Sequence, residues 1–253
     1  MTDSSPTSPY FEVRDLRRSF DGKEVLRGVN FQIERGKTTV ILGGSGAGKS
    51  VLIKHLNGLF LPHRGSVMVE GTEINTLSEK ELAPIRRRIG ILFQDGALFD
   101  SLSVAENVAF PLREAGVHDR TTLRNRVTEA LESVGLAGEE ETLPSALSGG
   151  MRKRAALARA LVAEPDALLC DEPTAGLDPI LSETIARLLR ETTERHHLTT
   201  VVVTHDLGAM RIMADRVIFL HLGQVHFDGT PDELTRSEED ELIRFLSASG
   251  GAG

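Results

Sequence analysis

Tryptophan is absent from this chain of 253 residues, and tyrosine and cysteine occur once each. The lone thiol, Cys170, excludes an internal disulfide and any cysteine-rich zinc site, and within its apolar run it reads as a packing residue. Aromatic residues reach only 4%, fewer than a β-sandwich or propeller ordinarily carries, whereas α/β packing on Ala, Leu and Val does without them. A basic excess is missing too: Lys+Arg 29 against Asp+Glu 37 gives a formal net charge of -8. Wholesale binding to nucleic-acid phosphates through counterion release is thereby excluded. No uncharged apolar run approaches the ~18 residues a membrane helix needs. Residues 1–9 carry neither the basic nor the apolar region of a secretory signal. The expectation is a cytoplasmic chain with a disordered tail over residues 1–9, reaching a membrane only through partners.

What is present is an apolar content of 40%, enough for a sizeable core. The runs Thr38–Leu42, Ala167–Asp171, Leu198–Thr204 and Arg216–Leu220 predict strands buried on both faces of a parallel sheet. Helices are predicted at Ser50–Leu59, from Leu52, Ile53, Leu56 and Leu59, and at Ser182–Glu194, from Ile185, Leu188 and Leu189. Residues 10–34 and 65–75 read as antiparallel strands with turns at Asp21-Gly22 and Glu70-Gly71. Residues ~95–164 are rich in helix signals and poor in strand signals, the pattern of an inserted helical subdomain. The fold class expected is α/β, with a main domain over residues 10–236 and a C-terminal helix or tail over 237–253.

Gly43-Gly44-Ser45-Gly46-Ala47-Gly48-Lys49-Ser50 fits the G-x-x-x-x-G-K-[ST] pattern between a predicted strand and a predicted helix. Glycines let backbone N–H groups converge on phosphate oxygens, and the following helix adds the positive end of its dipole. Lys49 supplies a mobile charge for the β- and γ-phosphates, and the Ser50 hydroxyl suits Mg²⁺. Further along, Leu168-Leu169-Cys170-Asp171-Glu172 is an apolar strand ending in two carboxylates. Alternation makes their side chains diverge at the strand's C-terminal edge, where open α/β sheets bind ligands. One carboxylate there can hold a metal's hydration shell while the other polarises an attacking water.

Leu147-Ser148-Gly149-Gly150-Met151, followed by Arg152-Lys153-Arg154-Ala155, sharpens this picture. With the P-loop, Gln94, the acidic pair and His205, it closely resembles an ATP-binding-cassette (ABC) ATPase from about Tyr10 to Leu234. The resemblance implies a P-loop NTPase core with a mainly parallel sheet, an N-terminal antiparallel β subdomain and an inserted α-helical subdomain. It implies ATP as substrate and Mg²⁺ as cofactor, with Ser50, Gln94 and Asp171 as the metal-associated residues. Phe20 would stack on adenine, and Gly43, Gly44, Ser45, Gly46, Ala47, Gly48, Lys49, Ser50 and Val51 would cradle the nucleotide. Glu172 resembles the general base, Gln94 the contact to metal or attacking water, and His205 the γ-phosphate sensor. Asp178 matches the loop residue that crosses a dimer. Ser148, Gly149, Gly150 and Met151 match the signature that binds the γ-phosphate held by a second subunit. That last role has an independent physical reason: Ser148 is a good N-cap, and the helix behind it aims its dipole at an anion, with Arg152, Lys153 and Arg154 strengthening the field.

Two positions depart from the family pattern: Met151 stands where Gln is commonest, and Val51 where Thr is usual. The stretches LSGG-M-R-K-R-A and Ile91–Phe99 are most similar to cassettes of phospholipid transporters linked to MCE-domain proteins, the Mla type. The partners so implied are a second ATPase subunit, an integral membrane permease dimer, an MCE-domain protein and a small STAS-like regulatory subunit, with no nucleic acid. The location implied is the cytoplasmic face of the inner membrane. The segment Asp95–Leu112 after Gln94 would meet the permease, with Ala97, Leu98 and Phe99 either an apolar rim or ordinary core. Competing readings are a soluble cassette acting on ribosomes or DNA, an importer subunit for another small solute, and a nucleotide-gated scaffold without turnover. The single cassette and acidic balance oppose the first of these, and Glu172 and His205 oppose the last.

His196-His197 read as a helix C-terminal pair, because no carboxylate or third imidazole stands at ligand spacing. His55, His63 and His118 stand singly and read as superficial. Ser237–Ser247 alternates acids with Leu242, Ile243, Phe245 and Leu246, an amphipathic helix that either packs on its own domain or docks on a neighbouring subunit.

Overall fold

A computed structural model describes residues 8–250. Of the expected N-terminal tail, residues 1–7 lie outside the described residues, as do residues 251–253 of the C-terminal segment. The chain opens with β1 (Phe11–Phe20) and β2 (Lys23–Ile33), then β3 (Thr38–Leu42) and α1 (Lys49–Leu56). β4 (Arg64–Val69), β5 (Thr72–Glu73), α2 (Glu79–Arg87) and β6 (Ile89–Leu92) follow. Next come α3 (Val104–Glu114), α4 (Arg120–Ser133) and α5 (Gly149–Leu161). The remainder is β7 (Ala167–Asp171), α6 (Pro179–His196), β8 (Thr199–Thr204), α7 (Leu207–Met213), β9 (Arg216–His221) and β10 (Gln224–Gly229). Two helices, α8 (Pro231–Thr235) and α9 (Asp240–Gly250), end it.

The strands form two sheets, a four-stranded one ordered β2-β1-β4-β5 and a six-stranded one ordered β10-β9-β3-β8-β7-β6. Pairing in the first is antiparallel throughout. Its hairpin turns hold Asp21-Gly22 at φ 48 and 76 and Glu70-Gly71 at φ 50 and 80, the left-handed pair that matches strand twist. In the second sheet β9, β3, β8, β7 and β6 run parallel, and β10 pairs antiparallel at one edge.

The continuous apolar runs of the central strands follow from burial on both faces. Ile41, Leu169, Val201 and Val203 join one core with α1 and the antiparallel sheet. Their neighbours Val40, Leu42, Leu168, Cys170 and Val202 join another with α3 to α7. A period of two divides each strand between the two cores. Cys170 is wholly buried, and that burial raises its thiol pKa far above the ordinary range, as suits a packing residue. α9 packs on its own chain: Leu242 is fully buried, and the Phe245 ring lies 5.2 Å from that of Phe219.

His55 corrects the sequence reading. It is 1% exposed, with Nδ1 donating to the Val51 carbonyl at 2.8 Å, because α1 lies between the sheets and has no wet face at that position. Burial depresses its pKa and keeps the ring neutral. His63 and His118 are exposed, and His196-His197 do end a helix, with His197 its left-handed C-cap. β6, β10 and the short helices α2, α7 and α8 had no counterpart in the sequence reading.

Gly90 of β6 brings the last turn of α5 to the sheet, since a Cβ there would sit 2.5 Å from the Ala160 carbonyl oxygen. Gly90→Ala is expected to cost about 1–3 kcal/mol through overpacking. An unchanged urea midpoint would show that α5 is free to shift.

Candidate functional site

The P-loop joins β3 to α1. Gly48, at φ 104, is the N-cap of α1 and offers the helix no side-chain hydrogen bond. A Cβ at Gly48 would meet Leu26 Cδ2 at 2.9 Å, whereas Cβ atoms built on Gly44 and Gly46 meet nothing within 4 Å. The loop is therefore pinned on its β2 side and bare on the other. A helix N-terminus whose N–H groups lack a cap, facing open space, is an anion site.

That space is a cavity of about 750 Å³, within the size range of small-molecule clefts. Its lining includes Gly44 to Val51, Gln94, Glu172 and His205. Gly43 takes part through its carbonyl, which accepts from Lys49 Nζ at 2.8 Å.

Parallel pairing places the functional groups. β8 lies between β3 and β7, so the strand ends that carry the P-loop and the acidic pair emerge at one edge, beside His205 at the end of β8. Lys49 Nζ lies 3.2 Å from Glu172 Oε1, and the two side chains are 7% and 10% exposed. Thr204 Oγ1 donates to Glu172 Oε2 at 3.2 Å, and His205 Nδ1 lies 3.0 Å from the same oxygen. Ser50 Oγ donates to Asp171 Oδ1 at 2.9 Å. The two carboxylates thus diverge to different partners. Burial raises the Asp171 pKa, the Ser50 hydrogen bond opposes that rise, and the nearby Glu172 charge adds to it.

The chemistry available is phosphoryl chemistry. Lys49 and the bare N–H groups can neutralise a phosphate, while Glu172, held by Thr204 and His205, can polarise a water. Phosphate oxygens would compete with Glu172 for Lys49 and release that carboxylate. For a divalent cation the donors Ser50 Oγ, Asp171 and Gln94 are hard oxygen groups of the kind Mg²⁺ takes. Among the described residues, no group of three or more His, Cys, Asp or Glu converges as a metal cage. Mg²⁺ here would therefore depend on phosphate and water oxygens for the rest of its shell.

Other expected site residues lie outside this lining. Phe20 ends β1, its ring 5.7 Å from that of Phe60 and beneath the Arg18 guanidinium at 4.8 Å. Ser148 caps α5 by accepting from the Met151 N–H at 3.3 Å. Gly149 and Gly150 adjoin Leu177 and Leu181, close to Asp178, whose carboxylate caps α6 through the Ile180 and Leu181 N–H groups at 3.0 Å. The basic turn behind Ser148 also bonds backbone carbonyls, contacts the sequence reading did not foresee. Arg152 donates to the Leu147 carbonyl, Lys153 to the Gln94 carbonyl and Arg154 to the Val134 and Gly135 carbonyls. Each cation satisfies loop carbonyls that α5 approaches.

Sequence reasoning missed Val25, Leu222 and Phe245, which also line the cavity. Leu222 and Gly223 form the β9–β10 turn at φ 45 and 78, and Gly223 N–H donates to the Ala47 carbonyl at 3.2 Å, bracing the P-loop. A dipeptide ending in glycine after a strand was the available signal.

A P-loop nucleoside triphosphatase is the class this fold and site define. The profile of the family described as ABC transporter matches residues 26–175. The probable ribonucleotide transport ATP-binding protein mkl of Mycobacterium leprae is 41% identical over 242 residues, covering 96% of this chain and 70% of that protein. The intermembrane phospholipid transport system ATP-binding protein MlaF of Haemophilus influenzae is 39% identical over 235 residues, covering 93% and 89%. A solved ATP-binding cassette dimer in a post-hydrolysis state with ADP and Pi superposes with TM-score 0.79 at 33% identity, covering 87% of this chain and 98% of that one. The chain belongs to the ABC transporter family: it is an ATP-binding subunit and an ATPase.

The raised Asp171 pKa means that ionising this carboxylate penalises the folded state. Above the raised folded-state pKa the folded chain bears the full penalty, which fades as pH falls toward the ordinary carboxylate range and vanishes below it, where both states are protonated. Unliganded Asp171→Asn is expected to melt no lower than wild type at pH 7, with its relative advantage shrinking on acidification. A lower melting temperature at neutral pH would contradict this.

Proposed function

We propose that two copies of this chain clasp two ATP molecules and that hydrolysis drives an integral permease moving phospholipid between membranes, with an MCE-domain protein and a STAS-like regulatory subunit as further partners. One observation carries the two-copy reading: the cavity holds the P-loop, Glu172 and His205, while exposed Ser148 heads a different helix end outside it. A phosphate bound in the P-loop of one copy needs the Ser148–Met151 turn of another. Ile180 is 79% and Leu181 39% exposed beside that turn, an apolar surface suited to burial between copies. Asp178 stands in the same region, as a residue crossing the contact requires.

Within the site, Glu172 acts as general base, His205 senses the γ-phosphate, and Ser50, Asp171 and Gln94 hold Mg²⁺ and its waters. Phe20, at the end of β1, stacks on the adenine. The permease contact follows Gln94. Ala97 and Phe99 are exposed rather than core, and the Phe99 and Phe110 rings lie 4.9 Å apart, forming an apolar step for a cytoplasmic loop of the permease. Among the described residues no helix is long and apolar enough to cross a membrane, so association through the permease, at the cytoplasmic face, accounts for location. The phospholipid assignment rests on the LSGG-M-R-K-R-A stretch and the likeness to MlaF. The likeness to the methionine import ATP-binding protein MetN of Brucella abortus, 42% identical over 223 residues, supports a second reading, import of another small solute.

Glu172→Gln is expected to cut turnover at least a hundredfold while ATP stays bound, a loss of about 2.7 kcal/mol of transition-state stabilisation. Near-normal hydrolysis would remove Glu172 as base. Affinity purification of the chain from solubilised membranes is expected to bring an integral permease together with an MCE-domain protein. A solute-binding protein in its place would favour the importer.

A further inference from the structure

Lys153 is 7% exposed, and among the described residues no carboxylate lies within ion-pair distance of its ammonium. Its Nζ donates to the Gln94 carbonyl and, at 3.4 Å, to the Glu172 carbonyl. An ammonium buried against carbonyls alone costs more than an apolar side chain filling the same space, so packing does not account for the charge. Burial holds its pKa below the usual lysine range, with Asp95, Glu172 and Asp171 opposing that shift.

The carbonyl it meets belongs to a strained residue. Glu172 sits at φ 46, a left-handed conformation that residues with a Cβ seldom adopt. Its N–H donates to the Val203 carbonyl at 2.9 Å, so the residue is held from both sides. Farther along α5, Arg159 donates to the Gly96 and Ala97 carbonyls at 2.7 and 2.6 Å. One helix thus grips the segment from Gln94 to Ala97 at two points and Glu172 at a third.

We propose that Lys153 is a positioning residue for ATP hydrolysis, tying the helix headed by Ser148 to the backbones of Gln94 and Glu172. Lys153 lies little more than one turn from Ser148, so a rigid displacement of the head of α5 carries its ammonium along. Engagement of Ser148 by a partner-held phosphate then resets Gln94 and the Glu172 carboxylate together, which makes hydrolysis contingent on a closed pair. This rests on the reading of Glu172 as base and of Ser148 as a phosphate ligand in trans.

The test compares Lys153→Met, Lys153→Gln and Lys153→Arg in the purified full-length chain. It measures kcat and KM for MgATP, affinity for the fluorescent analogue TNP-ATP, and the melting temperature. For Lys153→Met the expected result is kcat reduced at least tenfold, with TNP-ATP affinity within twofold of wild type and melting temperature within a few degrees. Lys153→Arg, which keeps a cationic donor, is expected to recover part of kcat. Turnover within twofold of wild type overturns the proposal. So does a joint loss of affinity, melting temperature and kcat, the mark of a residue that only holds the fold. If the Met variant fails to fold, the same criteria apply to Lys153→Gln. Glu172→Gln, measured alongside, separates the failures: if it turns over normally the base assignment falls, whereas if it is inactive while Lys153→Met is normal only the present proposal falls.

Discussion

The contact between Lys49 and Glu172, at 3.2 Å with both side chains nearly excluded from water, is the interaction on which the rest of the site depends. Opposite charges so placed attract far more strongly than at a wet surface, and neither can lose its partner without a replacement. The Lys49 ammonium also bonds the Gly43 and Gly44 carbonyls, so the unliganded loop is held in shape by the cation that would otherwise meet phosphate. A bound triphosphate would supply the alternative anion. In the proposed mechanism that exchange would leave Glu172 with Thr204 and His205.

Sheet order makes that contact possible. Lys49 and Glu172 are far apart in the chain, yet β3 and β7 flank β8 in one parallel sheet, and their C-terminal ends share an edge. The burial extends to Lys49, Asp171 and Glu172 at that edge, whereas Gln94 and His205 stand exposed. The antiparallel sheet contributes from the other side, with Val25 and Leu26 against the P-loop and α1 enclosed in a common core. The buried His55 belongs to that enclosure.

α5 joins the two halves of the mechanism. Its head is the exposed Ser148 cap, its basic residues bond loop carbonyls, and its last turn meets β6 at Gly90 with no room for a Cβ. A helix attached at so many points moves as a unit or not at all. Its bonds to the Gln94 and Glu172 carbonyls are the route by which, in the proposed mechanism, a contact made at its head reaches Glu172.

Much of this was legible in the linear order of residues because it is local. The P-loop is eight contiguous residues whose glycines, lysine and serine act within one turn of chain. The β-branched and aliphatic runs of β3, β7, β8 and β9 disclose two-sided burial wherever they occur, and Ser148 and Asp178 are capping residues by their chemistry. The partners of Arg152, Lys153 and Arg154 were not legible, because a basic turn looks the same whether its charges meet phosphate, water or distant carbonyls. Nor was β10, whose Leu222-Gly223 turn lacks the usual Asn or Asp, or the burial of His55, which depends on a second sheet closing over α1. Sequence by itself nominated the phosphate-binding groups and located the apolar strands β3, β7, β8 and β9 and the helices α1 and α6, since short-range sterics and hydrogen bonding decide those. Tertiary structure alone decided which carboxylate meets Lys49, which carbonyls receive Lys153 and which side chains are dry, because those are set by strand order and by distances between segments remote in the chain.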